Sequence, residues 1–171
     1  MFAGKTTALI NETIGLKPIN YLVFKPSIDT RSKKNTICSH ENKILKCIDV
    51  AEPMEILSHI TPKTKNVFID ETQFMDSSIV ELIEGVNDKG VQVTCAGLLF
   101  DSSQKHFGSM KLLHECAAHK IQLFASCNDC GTPAIITYFH GTKNSQIRIG
   151  GKDKYKALCG ACFKKKELSL K

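Results

Sequence analysis

The chain has 171 residues, 42% of them hydrophobic and 23% charged, which is enough to bury one proper core and too few for two large ones. No apolar run approaches the roughly 20 residues needed to span a bilayer, and the start Met1-Phe2-Ala3-Gly4-Lys5-Thr6-Thr7 has no basic segment followed by an apolar stretch, so a soluble, cytoplasmic protein is expected. The net charge of +6 sits largely in Lys33-Lys34 and in the tail lysines Lys164, Lys165, Lys166 and Lys171; without interleaved aromatics these are solvated runs, and they give little reason to expect a nucleic-acid partner.

In chain order, a glycine-lysine-threonine turn opens a helix through Thr7–Thr13 that ends near Gly15 and Pro18. Tyr21-Leu22-Val23-Phe24 is a continuous apolar run of the kind buried on both faces of a parallel sheet. Residues 25–46 are polar and turn-rich. Val67-Phe68-Ile69 predicts a second buried strand ending in Asp70-Glu71; Ile79–Val86 has helical apolar spacing, Val91–Leu98 reads as a third strand, and Met110–His119 as a helix. Ile121–Phe124 is expected to form a further strand leading into Cys127, followed by short β segments around Ile135–Phe139 and Gln146–Ile149. Alternating strands and helices predict an α/β unit over residues 1–125, an appendage over 126–163 and a disordered basic tail over 164–171.

Phosphate binding requires converging backbone N–H groups, a helix N-terminus, a lysine for the β and γ oxygens and a hydroxyl on the magnesium side. Ala3-Gly4-Lys5-Thr6 supplies the last part of the signature G-x-x-x-x-G-K-[ST], whose first glycine would lie before Met1. Asp70-Glu71, at the carboxyl end of a strand, offers one carboxylate to a metal and its neighbour to a substrate, because adjacent residues there point in different directions. The eight cysteines suit thiols or metal ligands in an intracellular chain better than disulfides. Cys127-x-x-Cys130 and Cys159-x-x-Cys162 form two matched knuckles that suit a closed, structural tetrahedral zinc; a redox dithiol is the competing account. Cys38, Cys47, Cys95 and Cys116 are isolated and read as core residues or incidental thiols. None of the six histidines has metal-ligand spacing.

Taken together, these residues resemble the thymidine kinase family of the human cytosolic, bacterial and poxvirus kind. The likeness runs from Met1 to about Phe163 through Met1–Thr6, Phe24-Lys25-Pro26, Asp29-Thr30-Arg31, Ile69-Asp70-Glu71-Thr72-Gln73-Phe74, Phe107-Gly108, the paired cysteines and Gly150-Gly151-Lys152-Asp153-Lys154-Tyr155. The resemblance implies a P-loop NTPase-like parallel sheet with a small C-terminal zinc-ribbon and lasso domain. It implies an ATP-dependent thymidine kinase of nucleotide salvage and DNA synthesis, a homotetramer inhibited by thymidine triphosphate. Lys5, Arg31 and Glu71 match the catalytic set, with Glu71 as general base. Ala3, Gly4, Lys5, Thr6, Thr7 and Asp70 match the site for ATP and magnesium. Met1, Phe74, Leu98, Phe107, Ile149, Gly150 and Tyr155 match nucleoside-pocket positions. Cys127, Cys130, Cys159 and Cys162 match the zinc ligands.

The chain departs from the family pattern in several places. Leu98-Leu99 stands where Leu-Asp is usual, Ser102 replaces a phenylalanine, His106 a proline, Gly160 a polar residue, and Arg148 a small aliphatic one; the family's first strand and Gly-Pro would precede Met1. Two other readings are open: a nucleotide-binding relative weakened in catalysis, and a zinc-ribbon nucleic-acid module, whose binding would fall steeply with salt.

Overall fold

The computed structural model describes residues 1–140 and 154–168. Its centre is a parallel sheet in the order β4-β1-β5-β6, formed by Ile48–Val50 (β4), Tyr21–Pro26 (β1), Asn66–Ile69 (β5) and Gln92–Cys95 (β6). Registers Phe24↔Ile48, Phe24↔Ile69 and Ile69↔Cys95 bring the carboxyl ends of the strands to one edge. That edge is where open α/β sheets bind ligands.

The period-2 alternation of the strands divides the core into two layers. Phe24, Val67 and Ile69 face the helix Ser78–Asn87 (α2), whose Ile79, Leu82 and Val86 are buried at helical spacing. Val23 and Phe68 face the opposite way, against Leu9 and Ile10 of Lys5–Glu12 (α1) and Ile37 and Leu45 of an antiparallel hairpin, Thr36–Cys38 (β2) with Ile44–Lys46 (β3). The sheet is therefore covered on both sides, which is why its strands read as continuous apolar runs.

Several boundaries differ from the sequence expectation. The first helix starts at Lys5 because Gly4 caps it. The third strand stops at Cys95: Ala96 accepts a hydrogen bond from Thr72 N–H (3.0 Å), and the chain turns away from the sheet. Residues 25–46, expected as turns, contain the β2–β3 hairpin, and β4, too short to stand out by periodicity, joins the sheet edge. The next helix, Met110–Cys116 (α3), gives way to extended backbone at Ala117.

Ile121–Phe124 is not a strand; Ile121 and Phe124 are 78% and 57% exposed, and apolar composition does not make a strand where no neighbour supplies the ladder. Pairing resumes at Ala125–Ser126 (β7) with Pro133–Ala134 (β8), followed by Ile136–Phe139 (β9) against Tyr155–Leu158 (β10). The basic tail expected to be disordered is helical as far as Leu168, in Gly160–Leu168 (α4), with Phe163 edge-on to Tyr138 and Lys166 Nζ 3.4 Å from Asp129. These anchors overcome lysine repulsion along the helix. The expected strand Gln146–Ile149, Arg148 and the motif Gly150–Asp153 lie outside the described residues. Among the described residues no helix is long and apolar enough to cross a membrane.

Candidate active site and cysteine centre

Gly4 caps α1 at φ 75°, a left-handed conformation that glycine adopts without the usual Cβ penalty. Lys5 and Thr6 therefore stand in the first turn of the helix, where unpaired N–H groups and the dipole favour an anion, and no acidic residue opposes it there. Ala3 and Phe2, just before the turn, pack on the C-terminal module. Thr6 Oγ1 donates to Asp70 Oδ2 at 2.8 Å, so the hydroxyl and the strand-end carboxylate already share one small space.

Asp70 leaves the sheet by donating its N–H to Phe24 O (3.0 Å). Glu71 follows at φ 51°, ψ 39°, a left-handed position that costs a non-glycine residue of order 1 kcal/mol or more. The bend sends the two side chains apart, Asp70 toward Thr6 and Glu71 toward Arg31. Burial, then repulsion from Glu71, pushes the Asp70 carboxyl up to about 6, against the opposing pull of the Thr6 hydroxyl and Lys5.

Arg31 lies on the loop after β1. Its Nη2 is 2.9 Å from Glu71 Oε1, and its Nε and Nη2 donate to Asp29 at 2.6 and 3.1 Å. Burial alone would weaken the guanidinium's hold on its proton, but Asp29 and Glu71 more than reverse this. The loop itself hangs on Lys25, 1% exposed, whose ammonium donates to Asp29 O (3.2 Å), Ser32 Oγ (2.8 Å) and Lys33 O (3.3 Å).

Sequence reasoning gave no role to Lys25, Asp29 or Gln73. For Lys25 there was a usable signal: a lysine directly continuing a doubly buried apolar run must find partners inside the protein.

Around the same edge, Phe74 and Phe107 meet edge-to-face at 5.4 Å, and Leu98 N–H donates to Gln73 Oε1 at 3.0 Å. Gly108 (φ 53°) presses on Gln73 so closely that a Cβ would come within 2.4 Å of its carbonyl oxygen. The loop carrying Ser102 is closed by Asp101, which accepts from the N–H groups of Ser103 and Lys105, and by Phe100 stacked on His106 at 4.8 Å.

The expected residues thus fall into two groups. Lys5, Thr6, Asp70, Glu71 and Arg31 gather at the sheet edge, with Phe74, Leu98 and Phe107 beside them. Thr7 continues the first turn of α1, and the Met1 nitrogen donates to Thr137 Oγ1 at 2.7 Å. Tyr155 is buried on β10 with its ring 5.1 Å from Phe139. Ile149 and Gly150 lie outside the described residues.

The Sγ atoms of Cys127, Cys130, Cys159 and Cys162 all lie within 4.8 Å of one another. The Cys130–Cys159 separation is 3.7 Å, far beyond a disulfide bond and close to the ~3.8 Å edge of a tetrahedron with zinc–sulfur bonds of about 2.3 Å. Cys159 N–H donates to Cys127 Sγ at 3.3 Å. Backbone N–H of Cys162 heads the causes that draw the Cys159 thiol down to about 6, while the neighbouring thiols push Cys162 up to about 12. Four sulfurs so crowded can all ionise only with a cation among them, and the donor set fits a metal that takes sulfur ligands. No histidine joins this cluster among the described residues.

A sequence model of the family described as thymidine kinase matches residues 1–163. A curated relative, the thymidine kinase of Pseudothermotoga lettingae, is 34% identical over 168 residues, covering 96% of this chain and 91% of the relative. With the family matched over nearly its whole length, the chain belongs to the thymidine kinase family and is a nucleoside kinase, a phosphoryl transferase.

Proposed function

We propose that the chain transfers the terminal phosphoryl group of ATP to the 5′-hydroxyl of thymidine, giving ADP and thymidine monophosphate for nucleotide salvage. The observation that carries this reading is the Glu71 carboxylate, held by Arg31 at 2.9 Å one residue beyond an aspartate that holds Thr6 of the Gly-Lys-Thr turn at 2.8 Å.

In this reading Ala3–Thr7 cradle the ATP phosphates, with Lys5 on the β and γ oxygens. Glu71 accepts the 5′-hydroxyl proton during in-line attack, and Arg31 draws charge from the transferring group. Thr6 and Asp70, already sharing a hydrogen bond, would hold magnesium, which would neutralise phosphate charge when bound with ATP. Phe74, Leu98 and Phe107 wall the base together with Met1, and Ile149, Gly150 and Tyr155 complete the pocket from the C-terminal module. Cys127, Cys130, Cys159 and Cys162 would hold a structural zinc that fixes that module. Organisation into residues 1–125 and 126–163, a cytoplasmic location, a homotetramer and inhibition by thymidine triphosphate belong to the same reading, on the strength of the family resemblance.

The test is conversion of labelled ATP to ADP by the zinc-loaded chain with and without thymidine. Conversion that requires thymidine is expected. Conversion indifferent to thymidine, or none, would replace this reading with that of a nucleotide-binding relative.

Asp70→Asn separates stability from activity. The folded Asp70 holds its proton to about pH 6 against an ordinary value of 3.8. Between those values the unfolded chain has released the proton and the folded chain keeps it, so stability falls as pH rises through the window and stays at the lower level above it. Asparagine keeps both hydrogen bonds, accepting from Glu71 N–H and donating to Thr6 Oγ1, without the charge. The metal-free variant is expected to gain about 1–3 kcal/mol at pH 7.5 and to lose the decline between pH 4 and 6, while turnover falls on the order of 10²-fold. Thermal melts at several pH values check this; a less stable variant at pH 7.5 would overturn the account of the strained carboxylate.

A further inference from the structure

Gln73 occupies a place that the reaction scheme leaves unexplained. It is 2% exposed, and both ends of its amide are engaged: Nε2 donates to Glu71 Oε2, and Oε1 accepts from Leu98 N–H at 3.0 Å. The backbone N–H can only donate, so it must face the amide oxygen, and the amide nitrogen is thereby turned toward Glu71. The other carboxylate oxygen, Oε1, faces Arg31 Nη2. Glu71 is thus held at both oxygens, by Arg31 at one and Gln73 at the other.

The side chain has no room to swing. A Cβ on Gly97 would lie 3.0 Å from Gln73 Oε1 and 2.7 Å from Met110 Sδ, and one on Gly108 would meet the Gln73 carbonyl. Gln73 therefore ties the backbone of Leu98 to the carboxylate by one short, rigid bridge.

We propose that Gln73 is a positioning residue that fixes the Glu71 carboxylate relative to the Leu98 wall of the nucleoside pocket, so that a bound nucleoside presents its hydroxyl at the base. The proposal rests on the reading of Glu71 as general base. A misplacement of about 1 Å at such a pair costs on the order of 10²-fold in rate, which sets the scale of the effect.

Gln73→Glu keeps the length and the acceptor for Leu98 N–H but replaces the donor facing Glu71 with a second carboxylate, whose repulsion displaces the base. It is expected to lower kcat by about 10- to 100-fold with KM for thymidine and ATP within about twofold. Gln73→Met removes both bonds and should also raise KM for thymidine. In a Glu71→Gln background, Gln73→Glu should cost less than about twofold further in kcat, because the new amide at position 71 donates to the new carboxylate at 73 and no base remains to be aimed.

A further loss of about tenfold in that background, or unchanged kcat for Gln73→Glu alone, would overturn the proposal. Near-normal turnover of Glu71→Gln by itself would instead reject the base assignment. Thermal melts identify which variants fold; should Gln73→Glu fail, Gln73→Met in the two backgrounds makes the same comparison of kcat, with the same loss in the presence of Glu71 and none in its absence expected.

Discussion

Glu71→Gln is expected to cut thymidine-dependent turnover by about 10²- to 10⁴-fold, the range that a general base contributes, while thymidine still binds within about threefold of the parent. The carboxylate takes no part in walling the base: its two oxygens face Arg31 and Gln73 and keep lone pairs for the substrate hydroxyl. What the substitution removes is the acceptor for the hydroxyl proton. Calorimetric binding of thymidine together with steady-state release of ADP separates the two quantities.

The fold should withstand this change because two effects of similar size oppose each other. The new amide can still accept from Arg31, but its nitrogen then faces the Gln73 amide nitrogen, whose orientation is fixed by Leu98 N–H; an unmade buried hydrogen bond costs about 1–3 kcal/mol. Against that, the neighbouring Asp70, raised to about 6 partly by the Glu71 charge, loses its closest repulsion. A variant that melts normally, binds thymidine and turns over at nearly the parental rate would remove Glu71 from the proton transfer.

What was legible in the sequence follows from which forces act locally. Tyr21–Phe24 and Val67–Ile69 announce themselves because both faces are buried, and Ile79, Leu82 and Val86 because one helix face is. Asp70-Glu71 was readable as chemistry because two acids ending a buried strand need partners, and the Gly-Lys-Thr turn because that strand end stands in the same chain to serve it.

The missed features all depend on a partner distant in sequence. β4 is a strand only because Phe24–Pro26 pairs with it, and Ile121–Phe124 is not one because composition cannot supply a neighbour. Gln73 has no local signature; its role arises where Leu98 N–H and the bare backbone of Gly108 come to meet it. The lysine tail read as disorder because charge repulsion is visible in sequence and the contact of Phe163 with Tyr138 is not.

Cys159→Ser is expected to have the largest effect on the fold. Structural zinc in small Cys-ligated domains contributes an apparent ~10–16 kcal/mol, and the strands it would hold here are only two to four residues long, too short to stand without a staple. The damage should not stop at the C-terminal module. Phe2 and Ala3 pack against Ala125, Cys127, Ala134 and Leu158, and the Met1 nitrogen bonds to Thr137, so the segment leading into the phosphate turn loses its backing when the module opens. Loss of bound zinc, proteolytic cleavage within residues 125–168 and loss of turnover should therefore occur together. A chelator should reproduce all of these effects in the parent and added zinc should reverse them there, but not in the variant. Cys116→Ser, at an exposed thiol outside the cluster, should change none of them. A Cys159→Ser protein that keeps its metal, resists protease and turns over normally would show that the four thiols are no staple, and that the phosphate turn is held by the sheet alone.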